Sequence, residues 1–139
     1  MSAMIEGRCL CGAVRVVGEG PTLFASHCHC ESCRRTHAAA FVTWTAWPVG
    51  RLRVEGSDAL RHHASSPGVV RSFCGTCGTP MTFRGDDAPD RVYVPVAVLD
   101  RLDRPVDAHV SYEEHARWVE GLERLPCFAE KSEAPLAWR

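Results

Sequence analysis

Apolar and polar positions alternate along this chain in short bursts, broken every few residues by glycine or proline, which is the pattern of a sheet protein with many turns. Ala13 to Val17 has the apolar content and partial alternation of a strand, and Gly18, Gly20 and Pro21 end it. Thr22 to Ser26 reads as a second strand that delivers the chain into Cys28. Phe41 to Trp47 is aromatic and β-branched, and its alternation sets Phe41, Thr43, Thr45 and Trp47 on one face. Further strands are predicted at Arg51 to Glu55, Ala59 to His63, Val69 to Phe73, Met81 to Arg84 and Arg91 to Leu99, with a turn at Ser65-Ser66-Pro67-Gly68. Pro95 favours an edge position or a bulge for the last of these. Helical spacing is confined to Glu31 to Thr36 and to Tyr112 to Leu122, where Ala116, Val119 and Leu122 form a stripe with Trp118 beside it. The expectation is a mainly β fold with one or two short helices. A chain of 139 residues without repeat or linker holds one core, so residues 1–139 are read as a single domain.

Cysteine changes this picture from a plain sheet protein to a candidate metalloprotein. Seven of the eight cysteines fall in three clusters, Cys9-x-Cys11, Cys28-x-Cys30-x-x-Cys33 and Cys74-x-x-Cys77, and Cys127 stands alone. Such spacings in a reducing compartment are those of metal ligands, whereas a secreted domain would use them for disulfides. In the middle cluster an extended Cys-x-Cys puts two sulfurs on one side, and one helical turn returns Cys33 beside Cys30. A helix starting near Cys30 would also lower the thiol pKa values there. Cys74-Gly75-Thr76-Cys77-Gly78 has the form of a zinc knuckle, in which glycines let backbone N–H groups face the sulfurs. Four plus three is the natural division. Cys9, Cys11, Cys74 and Cys77 would close one structural zinc site across a gap of more than about 60 residues.

Cys28, Cys30 and Cys33 are one ligand short of a closed tetrahedral site, and an open fourth position is the mark of a reactive zinc. Arg34 and Arg35 follow immediately and are candidates to stabilise negative charge there. The same trio could instead be a second structural site completed by His27, His29 or His37, although a histidine between two ligands often points the other way. His62, His63, His109 and His115 lie outside ligand spacing and read as surface or core histidines, and Cys127 as a buried small residue.

Charge narrows the partners. The formal net charge is -1, from 16 basic and 17 acidic residues, and seven thiolates on two zinc ions would take it to about -4. Nucleic acid is therefore not an expected partner. No apolar run reaches the ~20 residues of a membrane span, and the first residues lack the apolar core of a secretory signal, so a cytoplasmic protein is expected.

Gly7-Arg8-Cys9-Leu10-Cys11-Gly12-Ala13-Val14, the cluster Cys28-x-Cys30-x-x-Cys33-Arg34-Arg35, and Arg71-Ser72-Phe73-Cys74-Gly75-Thr76-Cys77-Gly78-Thr79-Pro80 are specific motifs. Together with Ser65 to Gly68, Leu99-Asp100, Pro105, His109, Trp118 and Leu125-Pro126, they resemble the glutathione-dependent formaldehyde-activating enzyme family, which is related to centromere protein V. The resemblance implies a β-tent, antiparallel sheets pinned by a structural zinc at Cys9, Cys11, Cys74 and Cys77. It also implies a catalytic zinc at Cys28, Cys30 and Cys33, hence two zinc ions per chain. The family's founding activity joins glutathione to formaldehyde. One departure is visible, since Thr36-His37-Ala38-Ala39 stands where the family usually has a glycine.

The function expected is that of a carbon–sulfur lyase-like enzyme acting on a small-molecule thiol and aldehyde, with Cys28, Cys30, Cys33 and Arg34 as its site. The alternative is a non-catalytic binding module with both zincs structural. An enzyme should show a cleft on the trio, floored by Trp44 or Phe41.

Overall fold

Alternation at the N-terminus sets the first strand: in β1 (Met4–Arg8), Ile5 and Gly7 face inward while Met4, Glu6 and Arg8 face solvent. The computed structural model describes residues 3–128. β1 pairs antiparallel with β2 (Arg15–Glu19), and β2 with β5 (Leu52–Glu55), giving a three-stranded sheet. Gly18 in β2 is required by close approach, because a Cβ there would lie 2.4 Å from the fully buried Trp47 indole.

The larger sheet contains β3 (Ala25–Cys28), β4 (Val42–Pro48), β6 (Leu60–Ser66), β7 (Val69–Cys74), β8 (Pro80–Gly85), β9 (Arg91–Pro95) and β10 (Ala108–Val110). Their spatial order is β10-β3-β4-β9-β8-β7-β6, antiparallel throughout except for the parallel pair β10 and β3. α1 (Glu31–His37) bridges β3 to β4. The fold is mainly β, as the alternation predicts, and none of the described helices is long and apolar enough to cross a membrane.

The main core draws on both sheets. Ile5, Val14, Val16, Trp47, Leu60, Met81 and Val94 meet there, packed around the buried Cys9 and Cys74. Each such large apolar side chain contributes about 1.5–3 kcal/mol on full burial. A smaller cluster of Cys33, Val42 and Trp44 is flanked by Phe24, Phe83 and Tyr93. Strand β4 separates the two, carrying Trp47 into the first and Trp44 into the second.

Several expectations need correction. Tyr112 to Leu122 is not a helix but successive 3-10 turns at Tyr112–Glu114, Arg117–Val119 and Leu122–Arg124. An isolated helix of that length is marginal, and the segment is held instead by specific contacts. Tyr112 stacks on His115 at 4.1 Å, and His115 bonds Glu120 at 2.6 Å. Ala116 and Val119 are buried, while Trp118 is 70% exposed. Pro95 lies on an interior strand, not an edge; it is the last residue of β9, after which Val96–Val98 turns away. Ala38 caps α1 in the left-handed conformation, φ 50°. A glycine at this position would relieve strain of about 1 kcal/mol.

One polar knot fixes the chain on its way to β10. Asp103 accepts from the Thr22 backbone N–H at 2.9 Å and from the Thr22 hydroxyl at 2.5 Å, and Arg104 donates to the Thr22 hydroxyl and carbonyl. Partial burial opposes the charged carboxylate, but the Thr22 hydrogen bonds and Arg104 outweigh it and hold the Asp103 pKa below its ordinary value. A depressed folded-state pKa contributes stability that is complete above the unfolded value and is lost as pH falls through the folded one. Asp103→Asn should therefore narrow its stability gap to the wild type as pH drops below about 4. Urea unfolding of both proteins between neutral and acid pH checks this, and a gap independent of pH would contradict it.

Candidate metal centres and the cavity beside them

Two turns build the first centre. After β1 the chain reverses at Gly12 (φ 83°), with the Val14 N–H donating to Cys9 Sγ at 3.3 Å. At the end of β7 the knuckle is closed by the Gly78 N–H on the Cys74 carbonyl at 2.7 Å, and Gly78 takes φ 82°. The sulfurs of Cys9, Cys11, Cys74 and Cys77 lie within 4.8 Å of one another, with Cys9 to Cys11 at 3.6 Å and Cys11 to Cys74 at 3.8 Å. Four thiolates at about 2.3 Å from a tetrahedral ion would be spaced at about 3.8 Å, so the donor set fits one ion. Cys77 is pulled down to about 5 by the Thr79 hydroxyl and by the backbone N–H groups of Cys11 and Thr79. Cys11 is exposed, yet despite a hydrogen bond from Ala13 it is pushed up to about 11 by local desolvation and the adjoining thiols. Four thiols this close compete for protons, a conflict that a bound cation removes.

The second centre is assembled where β3 meets α1. Cys28 ends β3, Cys30 caps α1, and Cys33 lies in its first turn with its N–H on Cys30 Sγ at 3.4 Å. Their three sulfurs also lie within 4.8 Å of one another, so they too could hold an ion. The hydrogen bond from Cys28, with those from Cys30 and Trp44 and the charge of Arg71, outweighs burial and pulls Cys33 down to about 5. Cys28, donating to Cys33 and half-buried, is pushed up, and burial pushes Cys30 up as well.

Among the described residues no histidine nitrogen joins the trio. His27 bonds Thr43 at 2.8 Å, and His29 bonds His109 at 2.8 Å. His37 packs edge-on against Trp44 and is held down to about 4 by burial and by Arg71. His29 does point away from its neighbouring cysteines. It is 1% exposed and sits among Phe41, His109 and Tyr112, a cluster that spacing alone did not reveal. Cys127 is exposed rather than buried.

A cavity of about 700 Å³ opens onto Cys28, Cys30 and Cys33, walled by Phe24, Trp44, Phe83 and Tyr93. Trp44 lines it; Phe41 packs instead on His27 and His29. The cation in this cavity is Arg71, with both terminal nitrogens 4.0 Å from Cys33 Sγ. Arg34, assigned that place from sequence, lies elsewhere: one step around a helix is about 100°, and Arg34 bonds the His29 carbonyl and lines a separate hollow with Arg35 and Trp118. Arg71 lies 38 residues from Cys33, and the register that pairs it with Phe83 is not written in any local motif.

The fold and its sites define a class: a mainly β scaffold with two cysteine clusters able to hold metal ions, one tied into the core and one facing a cavity. The sequence profile of the family named glutathione-dependent formaldehyde-activating enzyme matches residues 4–117. The chain belongs to that family. It is 35% identical over 112 residues to an uncharacterised lyase of Schizosaccharomyces pombe, covering 78% of this chain and 79% of the relative. It is 30% identical over 139 residues to a Halomonas elongata protein provisionally named a glutathione-dependent formaldehyde-activating enzyme, covering 91% of this chain and 87% of the relative. The crystal structure of a Rhodobacter sphaeroides protein superposes with a TM-score of 0.61 at 26% identity, over 75% of this chain and 98% of the other.

The four-thiol centre generates a stability prediction. Cys11 and Cys74 are 63 positions apart, and a cross-link closing such a loop contributes about 4 kcal/mol in the chain-entropy description. Cys74→Ser should lose one equivalent of metal and destabilise the fold by about that much, a large share of a typical 5–15 kcal/mol. Denaturant unfolding with and without chelator measures it. An unchanged midpoint would show that the clip contributes nothing.

Proposed function

We propose that this protein is a zinc-dependent carbon–sulfur lyase that forms or cleaves the adduct between a glutathione-like thiol and a small aldehyde such as formaldehyde. The observation that carries this reading is the trio: three sulfurs converge with no fourth protein donor among the described residues, and they do so on a cavity rather than in the core. The family name and the lyase name of the Schizosaccharomyces pombe relative support the same reaction class.

Thiolate donors and tetrahedral spacing suit zinc in both clusters. A zinc held by Cys28, Cys30 and Cys33 would supply Lewis acidity to a thiolate or a carbonyl oxygen in its open position. The protein's own groups do the rest. Arg71 sets a fixed positive charge beside Cys33, favouring its ionised form and offsetting the net negative charge of three thiolates around a divalent ion. Trp44 and Phe83 wall the site with apolar surface, which strengthens every charge interaction within it. In the cleavage direction the adduct's hydroxyl loses its proton, its C–O bond becomes a carbonyl, and the C–S electron pair leaves with sulfur, which then takes up a proton. Formation is the reverse. The free state of all eight cysteines suits a reducing cytoplasmic setting.

Cys30→Ser tests the assignment. The variant should lose turnover of thiol and aldehyde together with one of two zinc equivalents, yet unfold within a few degrees of the wild type, because Cys30 is outside the main core. Metal analysis, activity and thermal unfolding are read side by side. Global unfolding of the variant would make the trio a structural centre and favour the binding-module reading.

A further inference from the structure

His29 stands between two cysteines of the trio and contributes no donor to it. Cys28 ends a strand and Cys30 is itself extended, so alternate side chains along Cys28-His29-Cys30 leave on opposite sides, and the direction of the His29 ring sets that of both flanking sulfurs. The ring is 1% exposed and lies edge-on to Tyr112 at 4.9 Å, with Phe41 at 5.2 Å between centroids. Its Nε2 is 2.8 Å from His109 Nδ1, while its own Nδ1 is buried without a partner among the described residues. A buried N–H left unbonded costs about 1–3 kcal/mol, so the neutral ring keeps its hydrogen on Nε2 and donates it to His109.

The backbone of the same residue is pinned too. The His29 N–H donates to the Val110 carbonyl at 3.0 Å, which carries the β3 to β10 ladder one bond past Cys28, and the His29 carbonyl accepts from Arg34 Nε at 3.2 Å. Three anchors therefore meet on one residue, from β10 twice and from α1 once. The cysteines beside it have less to hold them: Cys28 and Cys30 are only partly buried and stand outside the main core, which the four-thiol centre enters through Cys9 and Cys74. An apolar ring could fill the space His29 fills, but a hydrogen bond adds direction, and direction is what a set of three donors needs.

We infer that His29 is a positioning residue of the trio: braced by His109, Val110 and Arg34, it aims Cys28 and Cys30 at a common point and so governs how firmly that centre holds its ion. The inference deepens the proposed function and rests on it in taking the trio as a metal centre. It also gives Arg34 a place in the site, behind the ligands rather than in the cavity.

The test reads metal rather than turnover. Zinc release to a chromogenic chelator is followed in wild type, His29→Phe and His29→Gln, with thermal unfolding alongside, and the trio's ion is identified as the one missing from Cys30→Ser. Phenylalanine keeps a ring in the pocket without the hydrogen bond, whereas glutamine restores an amide N–H donor toward His109. Loss of such an orienting contact costs about 10–100-fold in metal affinity, so His29→Phe should release the trio's ion about tenfold faster or more. Release from the four-thiol centre should be unchanged, unfolding should stay within a few degrees of the wild type, and His29→Gln should return to the wild-type rate. Unchanged release in His29→Phe would overturn the inference. Faster release from both centres with a lowered unfolding temperature would make His29 a core residue alone and overturn it as well, and so would a glutamine variant as leaky as the phenylalanine one. Should His29→Phe fail to fold, His109→Leu breaks the same bond from its exposed side and leaves His29 in place; selective loss from the trio is expected there, and unchanged release would overturn the inference. Firm zinc at the trio, loosened by His29→Phe, without thiol–aldehyde turnover in the wild type would sink the proposed reaction and leave the brace standing; turnover with no effect of His29→Phe on release would do the opposite.

Discussion

The structure depends on one constraint, the convergence of Cys9, Cys11, Cys74 and Cys77. Two short turns from opposite parts of the chain bring four sulfurs within 4.8 Å, and two of them, Cys9 and Cys74, are wholly buried in the main core. A metal ion held by these four sulfurs would fasten the small sheet to the large one where β1 and β7 end. A loop closure of this length constrains the unfolded chain far more than any single side-chain contact stabilises the folded one. The packing of Ile5, Val16, Trp47 and Met81 then has a fixed frame to fill.

That frame decides where the second centre can be. Strand β3 ends at Cys28, α1 begins after Cys30, and β7 carries Arg71 across to Cys33 on the face opposite the main core's Trp47 cluster. The two cysteine sets thus differ in surroundings rather than in chemistry. One is tied by backbone N–H groups into turns and core; the other has apolar walls, one buried cation and open space. With equal ligand type, the missing fourth protein donor and the cavity are what would set a reactive centre apart from a structural one.

Much of this was legible in the residues. Strands announced themselves through alternation, and the cysteine division followed from local spacing because a Cys-x-Cys or Cys-x-x-Cys fixes its own geometry. Trp44 or Phe41 was expected to floor the cleft on the trio, and Trp44 does line it. What failed was non-local or weakly determined. Arg71 reaches Cys33 only through strand register, and His29 meets His109 only because β10 pairs in parallel with β3. Of the stripe Ala116, Val119 and Leu122, the first two are buried but Leu122 is exposed, and so short a 3.6-residue period did not outweigh contacts made by Tyr112 and His115. Arg34 was favoured by adjacency in sequence, which a helix converts into a different direction in space.

The central claim is one closed and one open zinc centre, and X-ray absorption at the zinc edge, with metal content per chain on anaerobically purified protein, tests it most directly. Two ions per chain, an average of about 3.5 sulfur neighbours and the remainder oxygen is the predicted result. Nitrogen in place of that oxygen, four sulfurs on every ion, or a single ion per chain would contradict the account.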